Sequence, residues 1–235
     1  MKKDVNACLV CGAPLVYLEE ARPMTCAGCG RTFSSNAMCE HGHFICDDCH
    51  RAPALVVIRQ RCLEAGDTDP IALAEKLMEE PTVHMHGPEH HVLVGAALLT
   101  AYHNVTGKPG LEGALEKMVQ RGKQVPGGAC GFFGCCGAAV SAGIFAAIVL
   151  ESTPLSEESW GRVNLLTGQC LLNEGKMGGP RCCKRNGYLS ILTAVKFCRE
   201  ELGVTLPIPS RTVCRFSHKC RECLKERCPF FEKRG

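Results

Sequence analysis

The pattern of apolar and polar positions divides the chain into three stretches. Residues 1–52 show almost no helical periodicity, and Leu15-Val16-Tyr17-Leu18 suits a short strand. From Pro53 onward, apolar residues recur at helical spacing. Ala54–Ala65 reads as a helix, and Asp69-Pro70 supplies an N-cap with proline at the first helical position of the next, Ile71–Glu80. Pro81–Gly87 is an extended, histidine-bearing connection. Pro88–His103 reads as a third helix, apolar through Val92, Leu93, Ala96, Leu99 and Tyr102, and Gly110–Arg121 as a fourth. A glycine-rich turn, Gly127–Gly137, feeds the apolar helix Ala138–Glu151. Thr153-Pro154 caps and starts a helix reaching Asn173, Gly175–Pro180 breaks it, and a last helix runs from Cys183 to Leu202. Pro207 and Pro209 mark a linker. The expected fold is therefore mainly α, in three parts. A metal module of short β-hairpins (1–52) precedes a helical domain (53–210), and a cysteine-rich tail (211–235) closes the chain.

Composition changes this picture in two ways. A hydrophobic fraction of 46% over 235 residues excludes wholesale disorder and allows one core of ordinary size. Nineteen cysteines demand an explanation. The chain starts Met-Lys-Lys-Asp with no apolar run behind it, so no export signal is read and cytoplasm is the expected compartment. There, Cys-x-x-Cys pairs are metal ligands or redox thiols rather than disulfides. Gly127–Leu150 is uncharged and long enough to span a bilayer, but its Gly, Ala and Cys content is too weakly apolar. It is expected to be a buried core helix behind a glycine turn, and no membrane association is expected. Net charge is only +3, unevenly placed: residues 211–235 carry eight Lys/Arg against three Asp/Glu.

The first 52 residues hold two matching knuckles, Cys8-x-x-Cys11-Gly and Cys26-x-x-Cys29-Gly, followed by Cys39, His41, His43, Cys46, Cys49 and His50. Each knuckle presents two thiolates from a tight turn, and glycine permits the backbone geometry. The two knuckles could close one four-cysteine site, as in a zinc ribbon. Alternatively, Cys8/Cys11 could pair with Cys39 and His43 in a cross-brace, a spacing that suits His43 better than His41. Eight ligands result either way, with zinc preferred over iron and a structural role expected.

The helical domain carries thiols at expected helix starts. Cys130, Cys135 and Cys136 lie in the glycine turn, and Cys182 and Cys183 sit among Arg181, Lys184 and Arg185. Free amides and the positive helix end stabilise thiolates there, and equally an anion or anionic cluster. The alternative is small-residue packing, with cysteine acting as a small hydrophobe. Cys62, Cys170 and Cys198 fall singly in helical patterns and read as core. His84, His86, His90 and His91 form a group able to bind metal or carry protons. In the tail, Cys214-x5-Cys220-x-x-Cys223-x4-Cys228-Pro229 suits an iron–sulfur cluster or zinc, with His218 a possible substitute ligand.

The knuckles, "CEHGHFICDDCH" (39–50), "HGPEHH" (86–91), "GGACGFFGCCGAA" (127–139), "GGPRCCKR" (178–185) and the cysteine tail together resemble a family of unknown function from anaerobic archaea and bacteria. Some of its members are joined to radical-SAM or methyltransferase modules. The resemblance implies anaerobic metabolism, thiol or metal chemistry and a possible partner enzyme of those classes, with no established activity. The 127–139 segment is also similar to a redox-active family with a Cys…Gly-Cys-Ala…Cys…Cys pattern. The chain lacks the radical-SAM Cys-x3-Cys-x2-Cys, a P-loop and a Gly-x-Gly-x-x-Gly.

Two functions are expected from these residues. One is a metal-thiolate protein for redox or sulfur-transfer chemistry. Cys130, Cys135, Cys136, Cys182 and Cys183 would form its inner site, assisted by His86 and His90. Arg181, Lys184 and Arg185 would hold an anionic small molecule. The other is a non-catalytic, zinc-dependent module whose basic tail docks RNA or a partner enzyme. It is disfavoured by modest charge and few aromatics for base stacking. Metal storage is a third idea.

Overall fold

The computed structural model describes residues 8–232; the Met-Lys-Lys-Asp start and the last three residues of the basic tail lie outside them. A hairpin comes first. Strand β1 (Leu15–Thr25) pairs antiparallel with β2 (Thr32–Cys39), setting Leu15 opposite Cys39 and Thr25 opposite Thr32, with a register shift between Tyr17 and Arg22.

Helix α1 (Asp47–Glu64) starts earlier than its periodicity predicts and continues through Pro53, so the boundary expected after residue 52 falls inside a helix. Asp47 and Asp48 favour the start by complementing the helix dipole. Pro53 removes one i→i−4 bond, to the Cys49 carbonyl, without ending the helix. Cys49 and His50 therefore ride on the same helix that enters the core.

Helix α2 (Pro70–Glu79) has the predicted cap, with Asp69 Oδ1 accepting from the amides of Ile71 (2.8 Å) and Ala72 (3.1 Å). Helix α3 (His90–Thr106) is buried almost all round, as an apolar helix at the centre of a bundle must be. Around it stand α1, α2, α4 (Leu111–Gly122), α6 (Gly137–Val149) and α8 (Cys183–Glu201). Helix α6 is mostly small residues, which lets it approach closely: the Gly95 amide donates to Ser141 Oγ at 2.9 Å, and a Cβ on Gly95 would collide with Met118. It is a core helix, and no described helix is long and apolar enough to cross a membrane.

Two local readings change. The glycine turn contains a short helix α5 (Ala129–Phe132). Helix α7 (Glu158–Met177) begins later than predicted because Thr153 heads a turn instead, its amide and hydroxyl meeting Ser156 Oγ at 3.0 and 3.2 Å.

The tail folds back onto the bundle. Leu206, Phe216 and Phe230 join the core, and the Phe230 ring meets buried Tyr188 edge-on, centroids 5.2 Å apart. A Cys214 amide to Phe230 carbonyl bond of 2.6 Å closes the tail into a loop.

Candidate functional site

The hairpin organises two ligand sets. Cys8, Cys11, Cys39 and His43 form one, and Cys26, Cys29, Cys46 and Cys49 the other; within each, the ligand atoms all lie within 4.8 Å of one another. The pairs interleave along the chain, so the cross-brace alternative is the one adopted. His43 belongs to the first set, its Nδ1 3.6 Å from Cys39 Sγ, while His41 lies at the rim near Cys11. Both knuckles make the same turn. In the first knuckle Cys8 N–H donates to Ala13 O, and in the second Cys26 N–H donates to Arg31 O, with Gly12 and Gly30 left-handed at φ 76° and 71°.

Sulfur spacing tests whether an ion fits. A tetrahedral ion with bonds of about 2.3 Å holds its thiolates about 3.8 Å apart. Cys11 and Cys39 Sγ are 3.9 Å apart, as are Cys29 and Cys46 Sγ. Burial opposes ionisation of Cys26, but amides of Cys46, Cys29 and Gly28 donate to its sulfur and bring its pKa down to about 6. The same balance of burial against the amides of His43 and His41 brings Cys39 to about 6. Both sets can hold a metal ion.

A second thiol-rich site lies where the tail meets α8. Cys182, Cys214, Cys220, Cys223 and Cys228 line one small cavity with Met85, Arg185 and Phe231. These sulfurs are more widely set than the tetrads: among the described residues, no three of them lie within 4.8 Å of one another. Cys182 caps α8, its Sγ accepting from the Arg185 amide at 3.5 Å. Hydrogen bonding from Cys220 lowers the Cys182 pKa to about 6 despite burial, and the Cys220 thiol is raised by the same contact. His86 reaches the cavity edge, Nε2 3.7 Å from Cys220 Sγ and 3.5 Å from a Glu222 oxygen. Burial and the nearby Arg181 charge hold His86 neutral, its pKa near 4.

The remaining histidines diverge. His91 Nδ1 lies 3.1 Å from Val125 O, and His90 Nε2 lies 3.0 Å from His84 O and 3.3 Å from Lys184 Nζ. Burial and the Lys184 charge take the His90 pKa to about 3. At the centre of this group stands Glu89, wholly buried, which no sequence motif singles out. Its Oε1 accepts from the His84 amide at 2.9 Å, and its two oxygens face the Nδ1 atoms of His84 and His50, each at 3.3 Å. Burial alone would favour the protonated acid, but His50 and His84 hold the carboxyl far below the usual range.

A family model described as a family of unknown function, DUF5714, matches residues 58–231. The chain belongs to DUF5714. Comparison with curated proteins and with solved structures gives no match. The DUF5714 segment contains the cysteine cavity, His84, His86 and Glu89, while both N-terminal tetrads and His50 precede it.

Within the DUF5714 segment the other sequence candidates scatter. Cys136 occupies the N-cap position of α6 without a side-chain cap bond and accepts from Asn186 Nδ2 at 3.3 Å, and burial pushes its thiol far up. Cys183 is likewise pushed to about 12 by burial. At these helix starts, the Cys220 contact and nearby amides lower the Cys182 thiol, whereas desolvation raises those of Cys136 and Cys183. Cys130 and Cys135 sit half-buried in the glycine turn, Cys130 near Arg181, and neither lines the cavity. Cys62, Cys170 and Cys198 are core residues, as expected.

The three cations have protein partners. Arg181 donates to the Tyr17 hydroxyl and stacks over its ring at 5.5 Å. Lys184 is buried, donates to His84 O at 3.0 Å, and burial lowers its pKa to about 8. Arg185 Nη2 pins the 178–180 turn through the carbonyls of Gly178 (2.8 Å) and Pro180 (3.0 Å).

Proposed function

We propose that this chain is a metal-thiolate protein of anaerobic metabolism. The two tetrads hold structural zinc, and the cavity between α8 and the tail holds an iron–sulfur cluster serving redox or sulfur-transfer chemistry. The convergence on one cavity of five thiols, Cys182 from the start of α8 and four from the tail, carries this reading. Two features support a cluster over a single ion. A cluster brings its own iron and sulfide and so holds its cysteines further apart than one ion does, in line with the wider sulfur spacing here. Its thiolates are also stabilised by nearby donors, as Cys182 is by the Arg185 amide.

The roles of individual residues follow from position. Cys182 and the four tail cysteines supply ligands, with one more thiol than a four-cysteine cluster needs. Neutral His86, beside Cys220, is placed to act as an alternative ligand or to carry a proton. Cys130, Cys135, Cys136 and Cys183 stand outside the ligand shell. Phe216 and Phe230 are committed to packing, which weighs against the tail as an RNA-docking arm. We also propose a partner enzyme of the radical-SAM or methyltransferase class, the class implied by the resemblance of the motifs.

Protein purified without oxygen should contain iron and acid-labile sulfide in addition to the zinc of the two tetrads. Both iron and sulfide should fall together in Cys220→Ala/Cys223→Ala while zinc is unchanged. No sulfide in wild type, with one zinc equivalent lost in Cys220→Ala/Cys223→Ala, would overturn the cluster and leave the tail as a zinc site.

A further inference from the structure

The buried Glu89 and its two histidines are explained neither by the tetrads nor by the cysteine cavity. His50 comes from α1, just after the last tetrad cysteine, and His84 and Glu89 come from the connection between α2 and α3. Their ligand atoms lie within 4.8 Å of one another. The Glu89 side chain is fully buried, while His50 and His84 are each about a quarter exposed, at 22% and 25%.

Three features indicate that this cluster is incomplete without an ion. First, His50 Nδ1, His84 Nδ1 and Glu89 Oε2 are all buried and have no hydrogen-bond partner, although they face one another. Buried polar atoms are rarely left so, because each costs desolvation energy. Second, His50 Nδ1 stands 3.3 Å from Glu89 Oε2, and His84 Nδ1 stands 3.3 Å from Glu89 Oε1. Ligands bound at about 2.0 Å to a tetrahedral ion stand about 3.3 Å apart. Third, the chain makes room for the carboxylate. A Cβ on Gly87 would overlap both Glu89 oxygens, so only glycine lets the side chain fold back into this position.

We propose that His50, His84 and Glu89 form a further metal centre, a two-histidine, one-carboxylate site for a divalent transition-metal ion. Three protein ligands leave at least one coordination position for water or a substrate atom, the donor set of hydrolytic zinc and of non-haem iron(II) sites. The partly exposed histidines place that open position on the solvent side, and Glu89 anchors the ion from within. Because His50 lies outside the DUF5714 segment, the N-terminal module completes the centre. The Lys184 and His90 side chains, joined to the His84 carbonyl, hold the connection that carries His84.

The test is a count of bound ions. Full-length protein, purified without oxygen, is incubated with Zn²⁺ or with Fe²⁺, freed of excess and analysed by elemental mass spectrometry. Wild-type protein should hold one equivalent more than Glu89→Gln, His84→Ala or Gly87→Ala, and the element retained in competition distinguishes zinc from iron(II). Should Glu89→Gln fail to fold, His84→Ala, at the partly exposed edge, carries the same expectation. Equal ion counts in wild type and in folded variants would overturn the centre and leave an ordinary buried ion pair. Sulfide content reads the cysteine cavity separately, so failure of this centre and failure of the cluster are distinguishable.

Discussion

Phe230→Ala should release the tail from the bundle without unfolding the protein. Phe230 is 6% exposed, and its ring packs edge-on against the fully buried Tyr188. Truncating a buried phenylalanine costs about 3–5 kcal/mol, of which the aromatic pair accounts for about 1 kcal/mol. The tail bonds to the rest of the chain chiefly through side chains, and Cys214 N–H to Phe230 O is a bond within the tail that alanine preserves. The loss therefore falls mainly on docking. At the lower figure of about 3 kcal/mol, the equilibrium for local opening rises a little over a hundredfold. The assay is residue-resolved thiol alkylation by mass spectrometry under anaerobic, reducing conditions. Cys182 and Cys220 report local opening, and fully buried Cys62, Cys170 and Cys198 report global unfolding. The expected result is labelling of Cys182 and Cys220 about a hundredfold faster in the variant, with Cys198 changing much less. Unchanged Cys182 labelling, or Cys182 and Cys198 rising together, would refute the docked tail as the wall of the cavity.

Other consequences are as direct. Cys8→Ser and Cys39→Ser should lose the same zinc ion, and Cys26→Ser and Cys46→Ser the other; loss of one ion shared by Cys8→Ser and Cys26→Ser would restore the ribbon pairing. Chelation should unfold the hairpin module, whose satellite core among the described residues is Cys8, Ala13 and Cys39, while helical circular dichroism from the bundle persists. Gly137→Ala drives a Cβ into the His91 ring and should destabilise the fold by about 1–3 kcal/mol, read as a lower midpoint in thermal unfolding. An unchanged midpoint would mean that the ring has room to move.

Much of the fold was legible because its signals are local. The Asp69-Pro70 cap and the all-apolar α3 each announce themselves within a few residues, as do the knuckle glycines Gly12 and Gly30. What the sequence hid depends on distance along the chain. Cys182 stands at a helix start as Cys135 and Cys136 do, yet its contact is Cys220 of the tail. Which knuckle pairs with Cys39 is decided by the hairpin, since the spacing suits either. Glu89 carried one available signal, a carboxylate among four histidines, but its partner His50 arrives only because α1 runs unbroken through Pro53. The helix-start argument also missed that α6 and α8 begin inside the protein, where desolvation outweighs the dipole at Cys136 and Cys183.

The most direct test of the central claim is the absorption spectrum of anaerobically purified wild-type protein beside Cys182→Ala and Cys136→Ala. The account predicts broad absorption at about 400 nm, typical of iron–sulfur clusters, weakened or lost in Cys182→Ala and retained in Cys136→Ala. A colourless wild-type protein, or a band lost in Cys136→Ala and kept in Cys182→Ala, would contradict it.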